Sequence, residues 1–149
     1  MNDTKKVKNT KIIFTLEDRS GDGFKRELSA ACHSLTFISE TDADVVPFTA
    51  EKPATGLLTS YLAALQIESN EIEERDFDKF FERLTSEKDW HGPVEKKRAM
   101  QFAKLRDVLQ RYLNDIRVIR VGKIRLDIYI VGVDASGRPA GVKTKAIET

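Results

Sequence analysis

The 149-residue sequence is poor in the residues that build covalent or metal-held frameworks. It contains one cysteine, Cys32, and two histidines. A single cysteine permits no disulfide within the chain and no cysteine-based zinc site, so folding does not require an oxidising compartment. We therefore expect a cytoplasmic protein.

Long apolar runs are also missing from the sequence. The run Ile12-Ile13-Phe14 follows Lys5, Lys6 and Lys8, as the apolar part of a signal peptide would. The run is short, however, and acidic Glu17 and Asp18 come soon after it. No other stretch approaches the roughly 20 apolar residues that a membrane-spanning helix needs. These features predict a soluble chain without a signal sequence.

Hydrophobic residues make up 40% of the chain, and a chain of this length hides about 68–70% of its unfolded surface when it folds. One domain is therefore expected, over residues 23–149. Residues 1–22 are polar and end in a glycine-containing turn signal, which predicts a flexible N-terminal extension. An edge strand over residues 11–16 is the alternative for this segment.

Apolar residues recur at helical spacing from Phe24 to Leu35 and again over residues 55–66. Asp76 is a predicted N-cap for a helix over residues 77–84, because its carboxylate can accept hydrogen bonds from first-turn amides. Gly92-Pro93 predicts the start of a long helix, since proline is tolerated in the first turn. The predicted buried stripe of that helix comprises Ala99, Phe102, Leu105, Leu109 and Tyr112.

The last third of the chain changes to the alternation that is typical of strands. Runs rich in β-branched residues cover residues 116–121, 123–133 and 140–147 and predict an antiparallel meander. A short strand is predicted over residues 35–40, and the acidic segment from Thr41 onward is predicted to be a loop. The middle run becomes apolar on both faces and needs cover on both, which predicts an α/β fold with helices on each side of the sheet.

Reactive side chains do not converge in a pattern typical of an enzyme. Cys32 and His33 could form a nucleophile and a base, but neighbouring helical residues point about 100° apart, so Cys32 is interpreted as a core thiol. His91 stands alone in a turn. Two pairs of carboxylates are more typical of solvated surfaces than of metal sites: Asp42 with Asp44, and Glu73 with Glu74. We predict a non-enzymatic protein without a cofactor or metal of its own.

Charge is unevenly distributed along the chain although the net charge is +1. Residues 40–90 carry thirteen acidic side chains against five basic ones, a net −8, and residues 91–149 carry thirteen basic against six acidic ones, a net +7. This distribution predicts a dipolar surface, provided that the fold keeps the two segments apart.

Two features indicate binding to another molecule. Trp90, the only tryptophan, lies in a connection between helices; it is either a ring packed on those helices or an exposed anchor of the kind that is enriched at interface hot spots. Glu148 and Thr149 directly follow the last predicted strand. They are either a frayed chain end or a set of hard oxygens that mimics a phosphodiester near Mg²⁺-bound water.

A basic surface offers a competing hypothesis, a nucleic-acid-binding module. The long helix and the following hairpin carry six basic residues: Lys96, Lys97, Arg98, Arg117, Arg120 and Arg125. Aromatic residues that would stack on bases are not interleaved with them. A solvated helix face is therefore the alternative for this surface.

Several segments together resemble one known family. They are DFDKFFER at residues 76–83, KDW at 88–90, FAKL at 102–105, LDIYIVG at 126–132 and AGVKTKAIET at 140–149, with a weaker continuation over residues 28–40. On these segments, and over about residues 24–149, the chain resembles the nuclease A inhibitor family.

The resemblance implies a three-layer α/β/α sandwich and a 1:1 complex between a monomeric inhibitor and a sugar-non-specific, Mg²⁺-dependent nuclease. It implies that Glu40 pairs with basic groups of the nuclease, that Trp90 packs on its surface and that Thr149 reaches toward the water shell of the catalytic metal. Glu148 is added to the predicted partner-binding residues because it lies beside Thr149. The strand that leads to Thr149 is basic, so the acidity for docking is expected around Glu40 and Trp90.

Overall fold

The computed structural model describes residues 22–149. Four helices lie in this part of the chain: α1 (Asp22–Cys32), α2 (Leu58–Ala64), α3 (Phe77–Thr85) and α4 (Pro93–Tyr112). The strands are β1 (Thr36–Ile38), β2 (Asp42–Asp44), β3 (Val46–Thr49), β4 (Ile72–Arg75), β5 (Asn114–Val121), β6 (Arg125–Val133) and β7 (Pro139–Ile147). The predicted extension and its alternative edge strand lie outside the described residues, apart from Asp22, where α1 begins.

The main sheet has five strands in the order β3-β7-β6-β5-β4, and every neighbouring pair is antiparallel. β5, β6 and β7 are consecutive in the chain, so the predicted meander is confirmed. β1 and β2 form a separate antiparallel hairpin, and the Thr144 hydroxyl donates a hydrogen bond to the Asp44 carbonyl at 2.9 Å. The first half of β7 therefore pairs with β3, and the second half lies against the hairpin.

Helices cover both faces of the main sheet, as predicted. Buried residues of α1, α3 and α4 share one core cluster with Ile128 and Ile130 of β6. Tyr61 of α2 forms a second cluster with Ile119 and Val131 on the other face. Alternate residues of β6 serve the two clusters because successive side chains of a strand point to opposite faces. The result is a three-layer α/β/α sandwich.

The starts of α3 and α4 follow from local capping. Asp76 Oδ2 accepts a hydrogen bond from the Lys79 amide at 3.0 Å, which confirms the predicted N-cap. Pro93 occupies the first turn of α4, and the Gly92 amide donates to Glu95 Oε1 at 3.1 Å. The predicted stripe of α4 is buried at Ala99, Phe102, Leu105 and Leu109 and half-buried at Tyr112. No helix of residues 22–149 combines the length and apolar character needed to cross a membrane.

The prediction of a loop from Thr41 onward is wrong over β2 and β3. Ala43 of β2 pairs with Phe37 of β1, and β3 pairs with β7. Pro47 lies exposed within β3 at the edge of the sheet, where the missing proline N–H is tolerated. Acidic residues and proline have low strand propensity, so it is pairing with neighbouring strands that makes this segment extended.

The acidic and basic segments of the chain are interleaved in the fold. β4, from the acidic segment, lies beside β5, from the basic one. Glu74 pairs with Arg117 at 2.7 Å, and Asp78 pairs with Arg106 at 2.7 Å. The condition on which the predicted dipolar surface depended, separation of the two segments, is therefore not met.

Candidate functional site

The C-terminal end of β7 lies between two turns, the β5–β6 turn and the β1–β2 turn. The Glu148 amide donates to the carbonyl of Ile124, in the β5–β6 turn, at 2.9 Å. On the other side, the Ile147 amide donates to Ser39 Oγ at 3.0 Å, and the Ile147 carbonyl accepts from the Glu40 amide at 3.3 Å. The backbone is thus held one residue beyond the end of the strand.

Glu40 and Thr149 are in direct contact. Glu40 Oε2 accepts a hydrogen bond from the Thr149 amide at 2.7 Å, and Thr149 Oγ1 donates to the same carboxylate at 2.9 and 3.0 Å. These bonds, first the backbone one and then that from the hydroxyl, favour the charged form and lower the pKa of the Glu40 carboxyl. Both residues are exposed. The last residue is therefore held in place and accessible at the same time.

Glu148 contacts Arg120 of β5. Arg120 Nη2 lies 2.5 Å from Glu148 Oε1, and the arginine side chain is 13% exposed against 48% for the glutamate. Arg120 is opposite Ile128 in the β5–β6 ladder, whereas Glu148 lies beside Ile124. The arginine side chain therefore runs along the sheet toward the C-terminal end of β7.

Trp90 lies in the loop between α3 and α4 and is 79% exposed. The ring is therefore exposed and not packed on the neighbouring helices. The Trp90 ring meets the His91 ring with centroids 4.2 Å apart at 73°. His91 Nδ1 accepts from the Lys88 amide at 3.0 Å, and the His91 amide donates to the Lys88 carbonyl at 3.0 Å. The histidine thus shapes the loop that presents Trp90.

The direction of α4 decides where this loop lies. Phe102 and Ile128 line one small cavity, and Leu113, just after α4, lies against Gly132 further along β6. α4 therefore runs in the same direction as β6, and its 20 residues span about 30 Å. Its first turn lies toward the β5–β6 turn. Trp90 is consequently at the same end of the molecule as Thr149.

Exposed apolar side chains accompany the polar ones at this end. The exposed fractions are 44% for Ile38, 51% for Ile124 and 65% for Val94. Ile38 ends β1 two residues before Glu40. Ile124 directly precedes β6 and lies in the β5–β6 turn, although the predicted strand began at residue 123.

One of the two lysines near the end of β7 is compensated locally. Lys145 Nζ lies 2.8 Å from Asp127 Oδ1, its cross-strand neighbour. This hydrogen bond and the charge of Asp127 raise the pKa of Lys145. The positive charge that the sequence places close to Thr149 is thus partly offset.

The other candidates for chemistry are buried, apart or already paired. Burial raises the pKa of the Cys32 thiol to about 12, which makes it a poor nucleophile, and the neighbouring His33 is exposed. Glu73 lies 3.1 Å from Arg75 and Glu74 pairs with Arg117. Across residues 22–149, no group of three or more His, Cys, Asp or Glu side chains is placed to hold a metal ion.

Comparison with known protein families matches residues 22–149 to the family described as nuclease A inhibitor-like protein. The chain belongs to this family. The matched range begins with α1 and runs to Thr149, so the resemblance inferred from the sequence is confirmed. The family name implies a nuclease as the partner. No curated protein matches the chain.

Three of the four predicted partner-binding residues lie together in one hydrogen-bonded cluster: Glu40, Glu148 and Thr149. Trp90 lies at the same end of the molecule, on a separate loop. Sequence analysis missed the roles of Ser39, which holds the Ile147 amide, and of Arg120, which it assigned to a basic surface. Spacing along the chain does not reveal which carboxylate an arginine meets, so no sequence signal identifies Arg120.

Proposed function

We propose that this protein inhibits a sugar-non-specific, Mg²⁺-dependent nuclease by forming a 1:1 complex in which Glu148 and Thr149 block the active site. The observation that carries the proposal is the contact between Glu40 and Thr149, which holds the end of the chain at an exposed edge. A segment that is ordered before binding loses less conformational entropy when it enters a cleft. The family supports a nuclease as the target.

The chemistry of the held segment suits a metal-dependent phosphodiesterase. The Thr149 hydroxyl and the Glu148 carboxylate are hard oxygen donors, the kind that Mg²⁺ and its bound waters prefer. The phosphate that such an enzyme binds also presents anionic oxygens. Thr149 therefore contacts the water shell of the partner's metal in the complex, and the inhibitor brings no metal of its own.

Glu40 has a second role toward the nuclease. A carboxylate offers about four lone-pair sites, and the Thr149 bonds to Glu40 leave its exposed side open. A site that binds a polyanion carries basic groups, and charge-assisted hydrogen bonds to them are stronger than neutral ones. Glu40 thus pairs with basic groups of the nuclease while it keeps Thr149 in position.

Trp90 supplies the apolar anchor of the complex. A tryptophan that is 79% exposed on a loop shaped by hydrogen bonds presents a large surface to a partner. Tryptophan is enriched among the few residues that dominate interface energies. The ring packs on the nuclease surface beside the active site.

The protein acts by occupying the active site of the nuclease and is not cleaved or converted there. The protein uses no cofactor and catalyses no reaction; it is a cytoplasmic inhibitor, in which Cys32 stays a buried thiol. In the complex, one inhibitor molecule binds one nuclease molecule.

Direct binding of nucleic acid is less well supported by the contacts. Two of the six basic residues considered for it are engaged with carboxylates, Arg117 with Glu74 and Arg120 with Glu148. Arg120 is also largely buried, whereas phosphate contacts require accessible cations. The basic surface is thereby reduced to a few solvated side chains.

The proposal is tested by following plasmid digestion by a panel of Mg²⁺-dependent non-specific nucleases with and without the protein. We expect inhibition of at least one nuclease, and we expect removal of Thr149 to raise its inhibition constant by at least roughly 30-fold, the effect of losing a hot spot. Thr59→Ala, an exposed threonine of α2, is the matched control and keeps full inhibition. Melting curves check that both variants fold.

Two results would contradict the proposal. Failure against every nuclease of the panel would remove inhibition as the function. An unchanged inhibition constant after removal of Thr149 would leave inhibition but remove the blocking role of the chain end. Salt-sensitive binding to duplex DNA without a nuclease would instead favour the nucleic-acid hypothesis.

A further inference from the structure

Arg120 lies on β5, an inner strand of the main sheet, and its charged side chain is largely buried. Its side chain is 13% exposed, and its Nη2 lies 2.5 Å from Glu148 Oε1. Nε is buried without a hydrogen-bond partner among residues 22–149. Nε lies 3.9 Å from Glu73 Oε1, which is an ion-pair distance but too long for a hydrogen bond.

This arrangement is a poor source of fold stability. A buried polar atom that lacks a partner destabilises the folded state, and apolar residues often replace buried charges at no loss of stability. A methionine at this position would remove both the buried charge and the unpaired Nε. The arginine therefore calls for a reason other than stability.

The contact of the Arg120 guanidinium with Glu148 indicates a role in holding residues 148 and 149. Two groups from different parts of the fold bind consecutive residues: Glu40, between β1 and β2, binds Thr149, and Arg120 of β5 binds Glu148. The Glu148 amide is in turn tied to the Ile124 carbonyl at 2.9 Å. Neither side-chain contact alone fixes both residues.

We propose that Arg120 is a positioning residue, which holds Glu148 so that Thr149 is ordered for insertion into the nuclease. The inference rests on the proposed function and adds to it the residue that acts through Glu148. Arg120 does not contact the nuclease. It acts in the free protein, by reducing the conformational freedom that Glu148 and Thr149 would lose on binding.

The size of the effect follows from that lost freedom. Ordering two side chains at an interface corresponds to roughly a 5- to 150-fold change in affinity. We expect Arg120→Met to raise the inhibition constant within this range. Arg120→Lys, which keeps the charge on a shorter side chain, is expected to restore part of the loss. Arg138→Met, an exposed arginine in the β6–β7 turn, is the matched control and leaves inhibition unchanged.

A double-mutant cycle distinguishes positioning from a general structural effect. In a Glu148→Gln background Arg120 has lost its partner charge, so Arg120→Met is expected to cause less than a threefold further change in the inhibition constant. Full additivity of the two substitutions would overturn the proposal. A direct contact of Arg120 with the nuclease would also give additivity.

The ordering itself is measured in the free protein, independently of any nuclease. In ¹⁵N relaxation, the Glu148 and Thr149 amides of the unmodified protein are expected near the rigid order parameter of about 0.85 and those of Arg120→Met below about 0.6. The Val118 and Ile130 amides, in the buried part of the sheet, stay rigid in both. Rigid terminal amides in Arg120→Met would overturn the proposal.

The two proposals fail in different ways. A protein that inhibits no nuclease but loses terminal order in Arg120→Met would refute the proposed function and keep the positioning contact. A protein that inhibits but is unaffected by Arg120→Met would refute the positioning role alone. Where Arg120→Met fails to fold, Glu148→Ala removes the same contact from its exposed side, and unchanged order of the Thr149 amide in that variant would overturn the inference.

Discussion

Replacing Trp90 with alanine is expected to weaken nuclease binding far more than it affects folding. Because Trp90 is 79% exposed, the free energy of unfolding should change by less than about 0.5 kcal/mol. A buried tryptophan covers about 150–250 Å², so burying the exposed part at about 25 cal/mol per Å² yields about 3–5 kcal/mol as an upper bound. After the costs of association we expect a loss of about 2–4 kcal/mol, or roughly 30- to 1,000-fold in the inhibition constant.

The assay compares initial rates of DNA cleavage at increasing inhibitor concentration for the unmodified protein and for Trp90→Ala. Leu57→Ala is the matched control, because Leu57 is an apolar residue that is 60% exposed and precedes α2. Urea unfolding followed by circular dichroism measures the stability of each variant. An inhibition constant within threefold of the unmodified protein would refute the anchor role. A stability loss above about 1 kcal/mol would refute the reasoning from exposure.

Two other predictions concern Glu40 and Tyr61. The Thr149 bonds lower the pKa of Glu40 from its ordinary 4.5, so they are present above that value and are lost as the pH falls through the lower folded-state pKa. The ¹³C shift of the Glu40 side-chain carboxyl should therefore titrate with a midpoint below 4.5, and Glu40→Gln assigns this signal by removing it. A midpoint at or above 4.5 would contradict the contact. Tyr61→Phe removes the 2.8 Å bond to the Asp115 carbonyl and should cost about 1–2 kcal/mol in urea unfolding. Equal losses in the Tyr129→Phe control would contradict that assignment.

The near-neutral net charge is compatible with docking to a basic cleft because the relevant acidity is local. Glu40 and Glu148 lie on either side of the chain end, and Asp127 offsets Lys145 nearby. Elsewhere, carboxylates and basic groups pair across β4 and β5 and across α3 and α4. The charge of sequence segments therefore does not predict the charge distribution on the surface, because ion pairs form between segments that are distant in the chain.

Family resemblance and local physics account for different parts of what was predictable. The resemblance identified Glu40, Trp90 and Thr149 as candidates, and no periodicity or spacing would have joined Glu40 to a residue 109 positions away. The exposure of Trp90 depended on how the loop of residues 86–92 closes. Two hydrogen bonds between Lys88 and His91 close this loop. The composition of the loop does not reveal these bonds.

The sequence by itself determined the elements whose causes are local. Alternation of β-branched residues specified β5, β6 and β7, Asp76 capped α3, and Pro93 opened α4, because strand periodicity and first-turn hydrogen bonds involve residues close in the chain. Only the tertiary structure decided that an acidic, proline-containing segment forms β2 and β3, and that Arg120 meets Glu148. These outcomes depend on which strands become neighbours, since an edge strand meets its pairing partner, and Arg120 its carboxylate, only once the sheet has assembled.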